Sequence, residues 1–223
     1  MRALAAFGFA GQYLFPLSWL IGGLVQNGYS FRDQPISELG ARTADHPWIV
    51  QAGITVWGLS VLAVAAALWL TVDDFPHRRW ARLAAALMGV AGVCIFVSGF
   101  IAPLDCMPNV DRVCEAREDA GSLSVRHYVH VWASLVALRP LALAAIPIAL
   151  GFRRHPRLGF IAPLSVLALV VGVAFLFAFP PTGDAGSPNV GLNQRLLVAT
   201  FEYPLAFLAA VLFVSARGLE SRR

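Results

Sequence analysis

The sequence predicts an all-α fold: one polytopic transmembrane bundle of six helices over residues 1–223, with both termini cytoplasmic. Three observations carry that expectation. Hydrophobic residues fill 58% of the 223 positions and charged residues only 13%, where a soluble domain has roughly half and a quarter. Mean hydropathy is accordingly high, at +0.67. The apolar residues gather into runs of about 20, the length a helix needs to cross a hydrocarbon core of roughly 30 Å. The charges between the runs differ in kind from one side to the other.

Taken in order, the first element is "MRALAAFGFAGQYLFPLSWLIGGLV". No small-residue cleavage site closes it, so it reads as the first span, residues 6–26, rather than a cleaved signal. The polar stretch "DQPISELGAR" follows at 33–42. Pro35 suits a first helical turn, Ser37 and Glu38 can satisfy exposed amides, and Gly40 can end the turn. A short re-entrant or interfacial helix capping the bundle is therefore expected. The remaining spans are expected at 48–71, 81–104, 127–151, 157–179 and 194–216. Pro16, Pro140, Pro147, Pro163 and Pro204 fall inside spans, where neighbouring helices can re-satisfy freed carbonyls. Glycine and alanine recur, as in "LAAALMGVAGVCIFVSG", and let helices approach closely where lipid gives no hydrophobic drive.

Orientation comes from arginine, the only basic residue besides histidine. Arg2, "DDFPHRRWAR", "FRRHPR" and "RGLESRR" place ten arginines on one side, against Asp73, Asp74 and Glu220. The longer connections 27–47, 105–126 and 180–193 hold Asp33, Glu38, Asp45, Asp105, Asp111, Glu115, Glu118, Asp119 and Asp184. The positive-inside rule then puts the short turns in the cytoplasm and the long loops outside. The net charge of +4 and pI near 9.4 thus report topology, and no nucleic-acid partner is implied. A bacterial cytoplasmic membrane, with membrane lipids as neighbours, is the expected setting. A protein partner or a homo-oligomer is compatible with it.

Candidate site residues lie mostly towards the outer ends. His127 and His130, in "SVRHYVHVW", are three apart and share a helix face. With Asp105 they form a candidate divalent-metal set, which with Ser37 and Glu38 could activate a water. The bland alternative is histidines solvated or bonded to loop carbonyls. Cys94 reads as a packing residue within the third span. Cys106 and Cys114, with seven residues between them in an oxidising loop, form a candidate disulfide; metal ligation is the alternative. Arg139 and Glu202 sit deep in the fourth and sixth spans, where lone charges cost several kcal/mol, so a pair is expected. Arg195 lies seven positions before Glu202 and could extend a polar, ligand-binding track. Nine residues from His130 to Arg139 turn a helix by about half a revolution, which argues against one unified site.

The order "ISELGA" after the first span, "PLD" closing the third, a histidine opening the fourth and "GLNQR" opening the sixth resembles the DUF998 family of bacterial and archaeal six-span membrane proteins. The resemblance covers most of the chain and implies the six-helix architecture, but no reaction. It points to Ser37, Leu39, Gly40, Asp105, His127 or His130, and Arg195. The 105–126 loop is longer than in the family and its cysteines are not part of the pattern. A looser similarity links the chain to membrane hydrolases that include alkaline ceramidases, where Ser, Asp and His ligate zinc. Their late "HxxxH" is absent here.

Three functional classes follow. The first is a non-catalytic lipid-binding or lipid-sensing protein with a polar outer pocket. The second is a metal-dependent membrane lipid hydrolase, and the third a small transporter using Arg139 and Glu202. No inverted repeat supports transport, and no phosphate-binding glycine loop supports nucleotide chemistry.

Overall fold

The computed structural model describes residues 1–71, 77–155, 158–178 and 188–220. Asp73, Asp74, Arg157, Asp184, most of the loop 180–193 and residues 221–223 of the tail lie outside them. The described chain is helical and contains no strand. Its elements are α1 (Arg2–Val25), a 3-10 helix (Ile36–Gly40), α2 (Pro47–Leu70), α3 (Arg78–Phe96), α4 (Arg112–Asp119), α5 (Val125–Phe152), α6 (Ile161–Ala178) and α7 (Val190–Glu220). A π-helical turn, Val97–Ile101, prolongs α3.

Five helices are long and apolar enough to cross a membrane: α1, α2, α3 with its π-turn, α5 and α7 up to Ser215. The fifth expected span, 157–179, corresponds to α6, whose described apolar part, Ile161–Phe175, is shorter. The chain is a multi-pass helical membrane protein. Its spanning helices close a ring in which α2 packs on α1 and α3, α3 on α5, α5 on α6, α6 on α7, and α7 back on α1. The core runs through Val50, Trp57, Val61, Val64 and Leu68 of α2, Met88 of α3, and Leu197, Leu208 and Leu212 of α7. Side chains such as Leu17, Leu167 and Val170 stay exposed, as lipid-facing positions do.

Packing inside such a bundle depends on close fit rather than on escape from water. Gly58 shows how close. A Cβ there would lie 2.5–2.9 Å from the Phe96 backbone and the Gly92 carbonyl, so α2 and α3 touch through main chain. One set of polar core groups is paired within the bundle: Gln12 Nε2 donates to Ser60 Oγ at 2.8 Å, and Trp57 Nε1 donates to Gln12 Oε1 at 3.0 Å.

The helices alternate in direction, so one end collects the C-termini of α1 and α3 and the N-termini of α2, α5 and α7. The long connections tie together there. The Arg42 N–H donates to the Leu104 carbonyl at 2.9 Å, and the Leu192 N–H to the Arg32 carbonyl at 2.8 Å. The expected short helix within 33–42 forms as the 3-10 helix. Extended Pro35 precedes it and the Ala41 N–H closes it on the Glu38 carbonyl.

Candidate functional site

The capped end is assembled from two polar corners. In the first, α7 docks onto the 29–36 connection. The Arg195 guanidinium donates through Nη1 to the carbonyls of Phe31 (2.7 Å) and Gln34 (3.1 Å), and through Nη2 to the Tyr29 hydroxyl (2.5 Å). It also stacks within 4.9–5.6 Å of the rings of Trp19, Tyr29 and Phe31, a cation–π arrangement. Gln194 Oε1 accepts from the Ile36 N–H at 2.5 Å. Asp33 accepts from the Asn189 N–H and from the Ser30 hydroxyl, which hold its carboxyl below the usual range. Burial pushes the Tyr29 phenol up to about 12, against the opposing pull of Arg195. Gly191 makes the fit possible: a Cβ there would overlap the Gln34 carbonyl.

The second corner joins the 3-10 helix, the α3–α5 connection and the start of α5. Glu38 is 1% exposed. Its Oε1 accepts from both the Asn109 N–H (2.7 Å) and Asn109 Nδ2 (3.1 Å), while Oε2 is buried without a partner. Burial pushes this carboxyl up to about 7, the Asn109 hydrogen bonds opposing it and nearby Glu118 adding to it. Asp105 caps α5, accepting from the Ser124 N–H at 2.7 Å and Ser124 Oγ at 2.8 Å. Burial works to raise its pKa, but these bonds, with neighbouring His127 and Arg42, bring it below the ordinary carboxylate value.

His127, fully buried, accepts the Asp105 N–H at Nδ1 (3.3 Å) and meets Glu118 Oε1 through Nε2 at 3.2 Å. His130 owes its place to the π-turn. There the Ala102 N–H bonds to Val97 instead of Ser98, and His130 Nδ1 lies 2.9 Å from each of the Ser98 and Ala102 carbonyls. The Cys106–Cys114 disulfide spans 6.0 Å between Cα atoms and anchors α4 beside this corner. Asp111 caps α4, and Leu123 and Tyr128 pack against the cystine.

Beneath the second corner lies a cavity of about 300 Å³. Its deeper wall is apolar, from Phe15, Ile54, Trp57, Ile95, Leu197 and Val198; its polar end carries Ser37, Glu38, Asn109, Glu118, His127 and His130. A second cleft of about 380 Å³, between α5, α6 and α7, is almost wholly apolar.

Ser37, Glu38, Asp105, His127, His130 and Arg195 thus meet at one end of the bundle, in two groups. Arg195 points into the docking corner, where it donates to Phe31, Gln34 and Tyr29. Asp105, His127 and His130 do not form a ligand set: no group of three or more His, Cys, Asp or Glu able to hold a metal occurs among the described residues. The Asp105 carboxylate faces Ser124, and His130 Nδ1 faces carbonyls. Glu202 is buried with Oε1 unpartnered, whereas Arg139 is exposed. No ion pair joins them among the described residues, which corrects the expected pairing. Equal depth does not make two helices present those positions to each other. Sequence reasoning missed Asn109 and Gln194 as partners and Glu118 as the acid opposite His127; only proximity to "PLD" and "GLNQR" hinted at them.

A family model matches residues 9–214, and its description is protein of unknown function (DUF998). The chain belongs to the DUF998 family. No curated protein and no solved structure matches it. The motif residues "ISELGA", "PLD" and "GLNQR" are those that bind the connections of this DUF998 chain to one another at the capped end.

Proposed function

We propose that this DUF998 protein binds a membrane-derived amphiphile in the cavity at its capped end, as a lipid-binding or lipid-sensing protein. The observation that carries the reading is the cavity's polarity: an apolar depth within the bundle and a polar end under the α4 connection. Pockets of roughly 300–1,000 Å³ with a few convergent polar groups are the usual form of small-molecule sites. We place the capped end outside a bacterial cytoplasmic membrane, with both termini cytoplasmic. Arginine-rich turns at the opposite end support that orientation. Metal-dependent hydrolysis and transport are weaker readings. The donor atoms of Asp105, His127 and His130 face other partners, and Glu202 is not among the cavity-lining residues.

Native mass spectrometry of protein released from lipid nanodiscs tests the proposal. A retained amphiphile in the wild type, lost on filling the cavity with Ser134→Phe, is the expected result. Equal retention by both proteins overturns it. Labelling of a single introduced cysteine beside Asp45 by an impermeant reagent tests the orientation, and protection in intact cells contradicts it.

A further inference from the structure

We infer that the cavity selects an amphiphile whose head group is a hydrogen-bond-donating cation, a primary ammonium on an apolar chain. The inference rests on the amphiphile reading above and names its head group.

Charge comes first. Glu38, Glu115, Glu118 and Asp119 all line the cavity, and no arginine does among the described residues, in a chain with seventeen. An anionic head group would enter a field of its own sign with no lining arginine to receive it.

Hydrogen-bond polarity is the second observation and is independent of net charge. Three polar atoms on cavity-lining residues are buried without partners: Glu38 Oε2, Asn109 Oδ1 and His130 Nε2. Glu38 is 1% and His130 4% exposed. Asn109 Oδ1 and His130 Nε2 are acceptors, and Glu38 Oε2 is one in the ionised carboxylate. Asn109 turns its amide nitrogen to the Glu38 carboxylate, which leaves its oxygen free. His130 Nδ1 lies between two carbonyls and so carries the ring proton, which leaves a lone pair on Nε2. Unpartnered buried acceptors cost about 1–3 kcal/mol each, and they persist where something else satisfies them. A primary ammonium brings three N–H donors and a positive charge. A carboxylate or phosphate brings neither, and a trimethylammonium brings the charge without donors.

Calorimetric titration of the full chain in phosphatidylcholine nanodiscs, corrected against empty discs, tests this with four probes of one chain length: dodecylamine, dodecyltrimethylammonium, dodecanol and dodecanoate. Dodecylamine is expected to bind saturably and at least about tenfold more tightly than each of the others, about 1.4 kcal/mol. Glu38→Gln is expected to remove that advantage and leave dodecanol binding unchanged. Should Glu38→Gln not fold, Glu118→Gln, on the partly exposed rim, is expected to lower dodecylamine affinity severalfold, while Asp45→Asn, outside the cavity, leaves it unchanged. Equal binding of dodecanol or dodecanoate overturns the cationic head group and leaves the amphiphile reading standing. Equal binding of the trimethylammonium overturns the hydrogen-bonded form. Saturable binding of no probe removes the amphiphile reading as well.

Discussion

The two polar corners of the capped end use similar residues to opposite effect. Around Arg195, most polar groups are satisfied by the chain itself: two carbonyls, a phenol and three ring faces hold one guanidinium, and only its Nε and the Trp19 Nε1 are left over. Around Glu38, three polar atoms on residues lining one cavity are left without partners. The first arrangement stabilises a fold. The second costs stability and is the kind of feature that binding sites retain. The contrast teaches that buried polarity alone does not mark a site; buried polarity left unsatisfied beside empty space does.

The largest effect should come from breaking the satisfied corner. Arg195→Ala removes charge-assisted hydrogen bonds that bridge α7 to the 29–34 connection, and a loss of about 3 kcal/mol or more is expected. Arg195→Lys should recover less than half of it, because a point charge cannot span two carbonyls and a phenol as a planar fork does. Thermal unfolding in nanodiscs reads both. Next in size is the disulfide beside the open corner. Cys106→Ser with Cys114→Ser should cost about 2–3 kcal/mol by loop closure and weaken ligand retention, while Arg195→Ala leaves the cystine intact. Unchanged retention after reduction would show that α4 does not shape the cavity. Gly191→Ala should be smaller, about 1–3 kcal/mol, the cost of overpacking the α7–Gln34 contact, read as a lowered melting temperature.

A further effect sharpens the comparison through pH. The Glu38 carboxyl is raised from an ordinary 4.5 to about 7, so the folded state holds its proton more tightly than the unfolded one. Its stabilising contribution is full below about 4.5 and is lost as pH rises through about 7. Glu38→Gln should flatten that part of the stability profile between those limits, and a slope unchanged by the substitution would show that another group sets it.

Much of the fold was legible from the chain alone, because long apolar runs are local signals. The 3-10 helix was legible too, since Pro35 and Gly40 bound it within one turn. The candidate site was legible only as a set of residues near one end of the spans. The eight-residue α4 has a single buried residue, Cys114, and no apolar stripe to announce it. The Glu38–Asn109 contact joins positions 71 apart, and the Arg195–Tyr29 contact positions 166 apart; no spacing rule reaches that far. Arg139 and Glu202 failed as a pair for the complementary reason. Depth along a helix is readable from sequence, but which way each helix turns its face depends on packing, and here Arg139 faces outward.

The most direct measurement compares Glu38→Gln with Arg195→Ala at pH 8 by thermal unfolding, each without added ligand. If the Glu38 corner is held open for a ligand, Glu38→Gln unfolds at or above the wild-type temperature, since the cost of burying a charge is gone, while Arg195→Ala falls by several degrees or more. If Glu38→Gln falls as far as Arg195→Ala, both corners serve the fold alone, and the cavity is not the site proposed for it.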